Sequence, residues 1–375
     1  MVTTTSSPSH FASVTIANMF KSLFFTAVIS WAALPAISLG DSPPPPGTVP
    51  LFVAFGHGDR TMVSCDDGKT WVANQFVEDR EPGDDRYSED QMRAMGLAYD
   101  NGVFVKWLGW NGPVKISRSE NGVDWTVTAD RDQGWAWDGA GANGVFLYSL
   151  GRERTRSVDG GKTWTSQKNN GIRIGHTHFL YGEAGEETRW IVYGDGKIVY
   201  STDNGETWEA AELPEDEFSL RGSGAFGGGR FVIVPRFGEK GPRGPYIGAY
   251  SEDGGKTWQA SQEVPERPRG ILWDGERFLL FTSTDDVVYE SPDGKAWSRV
   301  EDVSNAKGFT AFAQSDQGTY IALESGGGKP KEAGGESVIY RSDDGLHWEH
   351  VEVNVPGDQL THVVFGYGQE PAACQ

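Results

Sequence analysis

Residues Ser251–Trp258 read Ser-Glu-Asp-Gly-Gly-Lys-Thr-Trp, and the octet returns at Ser64–Trp71, Ser157–Trp164 and Ser201–Trp208. Shorter versions lie at Ser119–Trp125, Ser291–Trp297 and Ser342–Trp348. The tryptophans that close the seven copies are Trp71, Trp125, Trp164, Trp208, Trp258, Trp297 and Trp348, separated by 54, 39, 44, 50, 39 and 51 residues. Such a recurrence means one supersecondary unit used seven times. Within each copy an Asp or Asn side chain can accept backbone N–H groups of a tight turn, and glycine supplies a conformation other residues resist. The tryptophan then opens a new strand and buries its ring.

Between copies the pattern is also regular. Met92–Tyr99 reads as a strand, Asp100-Asn101-Gly102 as a turn and Val103–Leu108 as the next strand. Val114–Ser117 and Trp125–Thr128 flank the motif that follows. Equivalent turn signals stand at Asn143-Gly144, Gly227-Gly228-Gly229, Asp274-Gly275 and Gln317-Gly318. Four strands per repeat predict an all-β chain, a seven-bladed β-propeller of four-stranded antiparallel blades. The motif resembles the Asp-box, or BNR repeat, of sialidase-like propellers. That resemblance implies a structural role for Asp66, Asp159, Asp203, Asp253 and the seven tryptophans, on the face away from any active site.

The first repeat lacks a first strand, and Thr361–Gly368 beyond the last repeat matches one. The C-terminal strand is therefore expected to complete the N-terminal blade, which removes an exposed edge. It also brings Cys374 toward Cys65, and a disulfide between them is expected to lock the ring. The domain reading is residues 1–40 as a signal peptide with a preceding polar leader, 41–50 as a proline-rich linker, and 51–375 as the propeller. The apolar run Leu23–Leu39 follows Lys21 and precedes small residues suited to cleavage, so a secreted or periplasmic protein is expected. Retention of that run as a membrane anchor is the alternative; after its removal no membrane insertion is expected.

The chain has 375 residues and a formal net charge of −20, with 12% aromatic residues and 50 glycines. That charge disfavours nucleic acid. There is no Walker motif, no His-Glu-x-x-His and no paired cysteine motif, so no cofactor and no metal are expected.

Chemistry is sought in the loops between blades and between second and third strands, which share one face. Trp107, Trp110, Trp135 and Trp137 fall in one sector of it and could stack on sugar rings. Arg93, Arg221, Arg236, Arg269, His57 and His362 also map there, with Arg60, Arg152 and Arg154, as candidates for binding an anion. The leading reading is a monomeric, secreted propeller that binds carbohydrate, an anionic glycan, on the face opposite the boxes. The alternative is a polysaccharide lyase acting on uronate, with His178 or His176 as base, Tyr87 as acid and Arg221 on the substrate carboxylate. A sialidase-like hydrolase is less well supported, since the Arg-Ile-Pro segment of that family is missing. A protein partner is the third reading. The chain is also similar to Asp-box assembly factors of photosynthetic membranes, whose surface loops it matches less well.

Overall fold

The computed structural model describes residues 43–75, 93–110, 112–134, 136–150, 153–168, 174, 177–184, 187–215, 218–236, 244–324, 338–353 and 359–375. The expected signal segment, residues 1–40, lies outside them. Seven four-stranded antiparallel sheets form the blades of a ring. Their innermost strands are Leu360–Gly368, Ala94–Asp100, Ala136–Ala142, His178–Ala184, Gly222–Gly227, Pro268–Trp273 and Ala311–Gln314, in blades 1 to 7. Blade 1 is completed as the repeat pattern requires, with Leu360–Gly368 paired antiparallel to Val49–Gly56. Its second strand begins at Val49, two residues inside the expected linker.

The second strand of each blade is buried on both faces, so it reads as a nearly unbroken apolar run, as in Phe231-Val232-Ile233-Val234 and Phe278–Thr282. Alternate residues serve opposite neighbours. In blade 4, Trp190 and Val192 pack toward blade 3, while Ile191 and Tyr193 pack toward blade 5. Apolar clusters of this kind fill the seams all round the ring, that between blades 7 and 1 included.

The boxes lie at the end of each blade where the third strand turns into the fourth. In the four full copies the serine hydroxyl donates to the Asp carboxylate and accepts the N–H of the second glycine position, as in Ser157, Asp159 and Gly161 at 2.8 and 3.0 Å. The carboxylate also accepts the threonine N–H and hydroxyl, at 2.9 and 2.6 Å in Thr163. All seven box serines are at most 2% exposed, which this bonding permits. Burial alone would raise the carboxylates, but these bonds outweigh it and hold Asp159 down to about 2, and in the short copy bonds from His347, Leu346 and Ser342 do the same for Asp344. Five box tryptophans donate their indole N–H to the carbonyl of the box glycine at 2.9–3.2 Å. In Trp71 and Trp297 that N–H is buried with no partner among the described residues.

Each box glycine is pressed against the second strand of the preceding blade. A methyl group added at Gly68, Gly122, Gly161, Gly205, Gly255, Gly294 or Gly345 would lie 2.1–3.2 Å from Ile321, Val53, Val105, Leu147, Ile191, Val232 or Leu279 respectively. All seven glycines have φ between 73° and 86°. Arginines just before three of the serines reach back across the same seams. Arg118, Arg156 and Arg341 donate Nε to the carbonyls of Gly160, Asn204 and Asp67 at 2.8–3.0 Å. On this face Cys65 and Cys374 form a disulfide, with Cα atoms 6.0 Å apart and a sequence separation of 309.

Two tests follow from the boxes. Gly255→Ala adds both left-handed strain and a collision with buried Ile191, whereas Gly196→Ala, at φ 72° with open space around it, adds only the strain. In urea titrations Gly255→Ala is expected to cost about 2–4 kcal/mol and Gly196→Ala about 1–2; equal losses would contradict the role given to the seam. Because the box carboxylates are depressed in the folded state, the stability they supply is complete above about pH 4. It is lost as the pH falls toward 2. Midpoints measured across that window should fall less steeply in Asp159→Asn than in the parent chain.

Candidate functional site

All innermost strands begin on the face opposite the boxes, and their first residues surround the mouth of the central channel. Asp138 enters from blade 3 and His178 from blade 4, with Nδ1 of His178 3.2 Å from Asp138 Oδ2. The His178 ring stacks on Tyr193 at 5.2 Å. Tyr193 is fully buried and donates its hydroxyl to Gly222 O at 3.1 Å, where blade 5 begins. Burial, and then the charge of Asp138, push this phenol well above its usual range. The neighbouring Ser223 hydroxyl donates to Arg269 O at 3.1 Å. The hydrogen bonds and the stack thus make one arc from blade 3 to blade 6.

The far end of the arc is basic. Arg236, Arg267 and Arg269 stand close enough to repel one another. Burial first, then the charges of Arg269 and Arg267, lower the Arg236 guanidinium; burial and then Arg267 lower Arg269, while Glu324 acts in the opposite sense. Backbone bonds fix the group: Arg236 N–H donates to Arg221 O at 2.7 Å, and Arg267 Nε to Arg236 O at 3.0 Å. Arg221 itself points outward and pairs with Asp195 at 2.9 Å. A separate sector lies between blades 2 and 3. There Trp110 and Trp137 meet edge to face at 4.4 Å, both partly exposed, with the Arg93 guanidinium 5.4 Å from the Trp110 ring centre.

Several expected ligand-binding residues are placed otherwise. Trp107 is 1% exposed, packed toward Tyr148, and donates its indole N–H to Trp137 O at 2.8 Å, so it offers no ring face to a sugar. His57 is buried and its Nδ1 accepts the Ala94 N–H at 3.2 Å, which ties the loop of blade 1 to blade 2. Arg60 is fully buried on Asn74, and Arg154 lies buried with its guanidinium 4.6 Å from the Trp208 ring centre. His362 is half-buried beside Phe55, with ring centres 6.1 Å apart, and enclosed by the strands around it. That enclosure pushes its imidazole down to about 4, against the opposing pull of Asp138, so at neutral pH it is uncharged and cannot serve as a cation. Tyr87, His176, Trp135 and Arg152 lie outside the described residues.

Asp138, Tyr193 and Arg267 had not been singled out. Asp138 lies within the register shift between Ala136 and Gly139, and Arg267 just before the one between Pro268 and Gly270. These irregularities break the period of two at the starts of both innermost strands, which is why strand alternation did not point to them. Among the described residues no group of three or more His, Cys, Asp or Glu is arranged to hold a metal ion. No helix among them is long and apolar enough to cross a membrane.

Proton titration followed by imidazole NMR is expected to place His362 near 4. Since its folded value lies below the ordinary 6.5, the unfolded chain binds the proton more readily, and this histidine's contribution to stability declines as pH falls from about 6.5 to 4. A value near 6.5 would mean that this imidazole is open to solvent rather than enclosed.

Comparison with known proteins agrees with the architecture. The family BNR/Asp-box repeat matches residues 199–210 and 249–260, two of the four full copies. No curated protein shows significant sequence similarity. Among solved structures, a protein from Lactobacillus plantarum superposes with a TM-score of 0.56 at 10% identity, covering 85% of this chain and 99% of that one. Virginiamycin B lyase from Staphylococcus aureus gives 0.54 at 10% identity, covering 76% and 96%. YCF48 from Cyanidioschyzon merolae gives 0.47 at 16% identity, covering 68% and 84%. The first two likenesses are of fold. The chain is a seven-bladed β-propeller carrying BNR/Asp-box repeats.

Proposed function

We propose that this protein binds an anionic glycan at the channel mouth, on the face opposite the boxes. The observation that carries the reading is the convergence of Arg236, Arg267 and Arg269 in a chain of net charge −20. Gathering like charges in a partly desolvated place costs free energy, and a bound carboxylate or sulfate returns it through charge-assisted hydrogen bonds. Trp110 and Trp137 supply ring faces and edges for sugar on another sector of the same face. The disulfide supports a secreted or periplasmic setting, where such bonds persist and polysaccharides are met.

One observation favours a catalytic version of this reading. His178 is oriented by Asp138 at the same mouth, the arrangement needed by a base that removes the proton beside a uronate carboxylate. The C–O bond to the leaving sugar would break as the C=C bond forms, and the leaving oxygen would take up a proton. The fold likeness to a lyase is no part of this argument, since fold does not fix chemistry.

Binding of polygalacturonate, heparin and dextran would be measured by calorimetry at two salt concentrations. Arg236→Gln and Arg269→Gln should each weaken binding of the acidic polymers roughly tenfold and reduce its salt sensitivity. Lys162→Ala, on the box face, should not. Dextran binding equal to that of the acidic polymers, or indifference to both arginine substitutions, would refute the proposal. Growth of near-ultraviolet absorbance from unsaturated uronate, lost in His178→Ala, would establish the eliminase. Binding without such product leaves a binding protein only.

A further inference from the structure

The arginine group at the channel mouth is built from two pieces of chain. Arg236 directly follows the second strand of blade 5, Arg230–Pro235. Arg267 and Arg269 flank Pro268, which opens the innermost strand of blade 6. Each side chain is held in its own way. Arg267 is anchored to blade 5 by its Nε on Arg236 O, at 3.0 Å. Arg269 lies within the register shift between Pro268 and Gly270, a break of the kind that re-aims a side chain. Its stem crosses toward blade 7, since a methyl group added at Gly308 would lie 3.4 Å from Arg269 Cγ and Nε. Arg236 is half-buried, and among the described residues no carboxylate or carbonyl pairs with its guanidinium. Glu324 already offers Arg269 a negative charge, yet Arg236 still feels the charges of Arg269 and Arg267.

The number and spread of these forks bear on the shape of the anion. A carboxylate has two oxygens in one plane and is matched edge to edge by a single guanidinium fork. Once so matched, it answers one of the three arginines. A sulfate or phosphate ester has three terminal oxygens directed to three sides, one for each fork. We propose that the arginine group selects a tetrahedral oxyanion ester, the sulfate or phosphate group of a substituted sugar, over a uronate carboxylate. Such selection rests on the glycan reading above and names the substituent that this site recognises. Arg236 would be the principal donor, and Arg267 and Arg269 would meet the other oxygens.

The test compares heparin with chemically desulfated heparin, which keeps its uronate carboxylates, and with polygalacturonate, by calorimetry on the intact protein at matched ionic strength. Heparin is expected to bind roughly tenfold more tightly than either carboxylate polymer. In Arg236→Gln that preference should shrink by about threefold or more. Should this variant fail to fold, Arg236→Lys, which keeps the charge and loses the fork, should shrink it in the same direction. Equal binding of all three polymers would overturn the selection and leave the glycan reading standing, as would a preference unchanged in whichever variant folds. If no acidic polymer binds, the glycan reading fails, and the selection is then decided by small probes. Glucose 6-sulfate or glucose 6-phosphate should shift the arginine Nε–H signals saturably, with glucuronate roughly tenfold weaker. The stronger of the two esters identifies the substituent; no shift with either, or equal shifts with glucuronate, would overturn the selection.

Discussion

Everything in this molecule depends on how closely one blade can approach the next. The limit is set by the box glycines, each lying where a methyl group would meet an Ile, Val or Leu of the preceding second strand. Seven such contacts, repeated with the same geometry, fix the angle between blades and so the number that close a ring. The serine hydroxyl that accepts the N–H of each of these glycines, held in turn by the Asp or Asn two residues on, is the scaffold that presents it, which is why those serines can be buried so deeply. The apolar clusters of the seams are the larger energetic contribution, but they are adaptable in shape. The glycine contact is not, because left-handed backbone and the absence of a side chain are required together.

This arrangement separates the two faces by physical role. The box face is repetitive because each of its turns solves the same packing problem. The opposite face is irregular because its loops have no such duty, and the titratable and aromatic groups that converge there differ from blade to blade. Asp138 with His178, the arginine group and the Trp110–Trp137 pair each belong to different seams. Their nearness is a product of the ring, since the innermost strands of all blades begin at one opening.

The repeats made the architecture legible before any coordinates. Their number gave the blades, and the unmatched strand Thr361–Gly368 gave the closure and the cysteine pair. Position along the strand was legible too, which is why His178, Arg236 and Arg269 were found at the mouth. Depth was not. Trp107 and His57 lie at the right height but are turned into the seams, and nothing in a period of two distinguishes the side facing a neighbour from the side facing a channel. His362 lies at the right height beside Phe55, yet enclosure removes the charge that its residue type seemed to offer. Partnerships between blades, such as Asp138 with His178 forty residues later, leave no trace in local pattern.

The closing strand has a consequence for the order of events in time. Six blades can form from contiguous stretches of chain, but blade 1 joins Leu360–Gly368 to strands some three hundred residues earlier. Its pairing carries the largest loop-closure entropy in the fold, so it must be the last seam to form and the first to breathe. Until it forms, Leu51, Phe52 and Val53 present an unpaired edge, which is a hazard for association between copies. The disulfide, placed on that blade and no other, turns a transient encounter of the two ends into a lasting one.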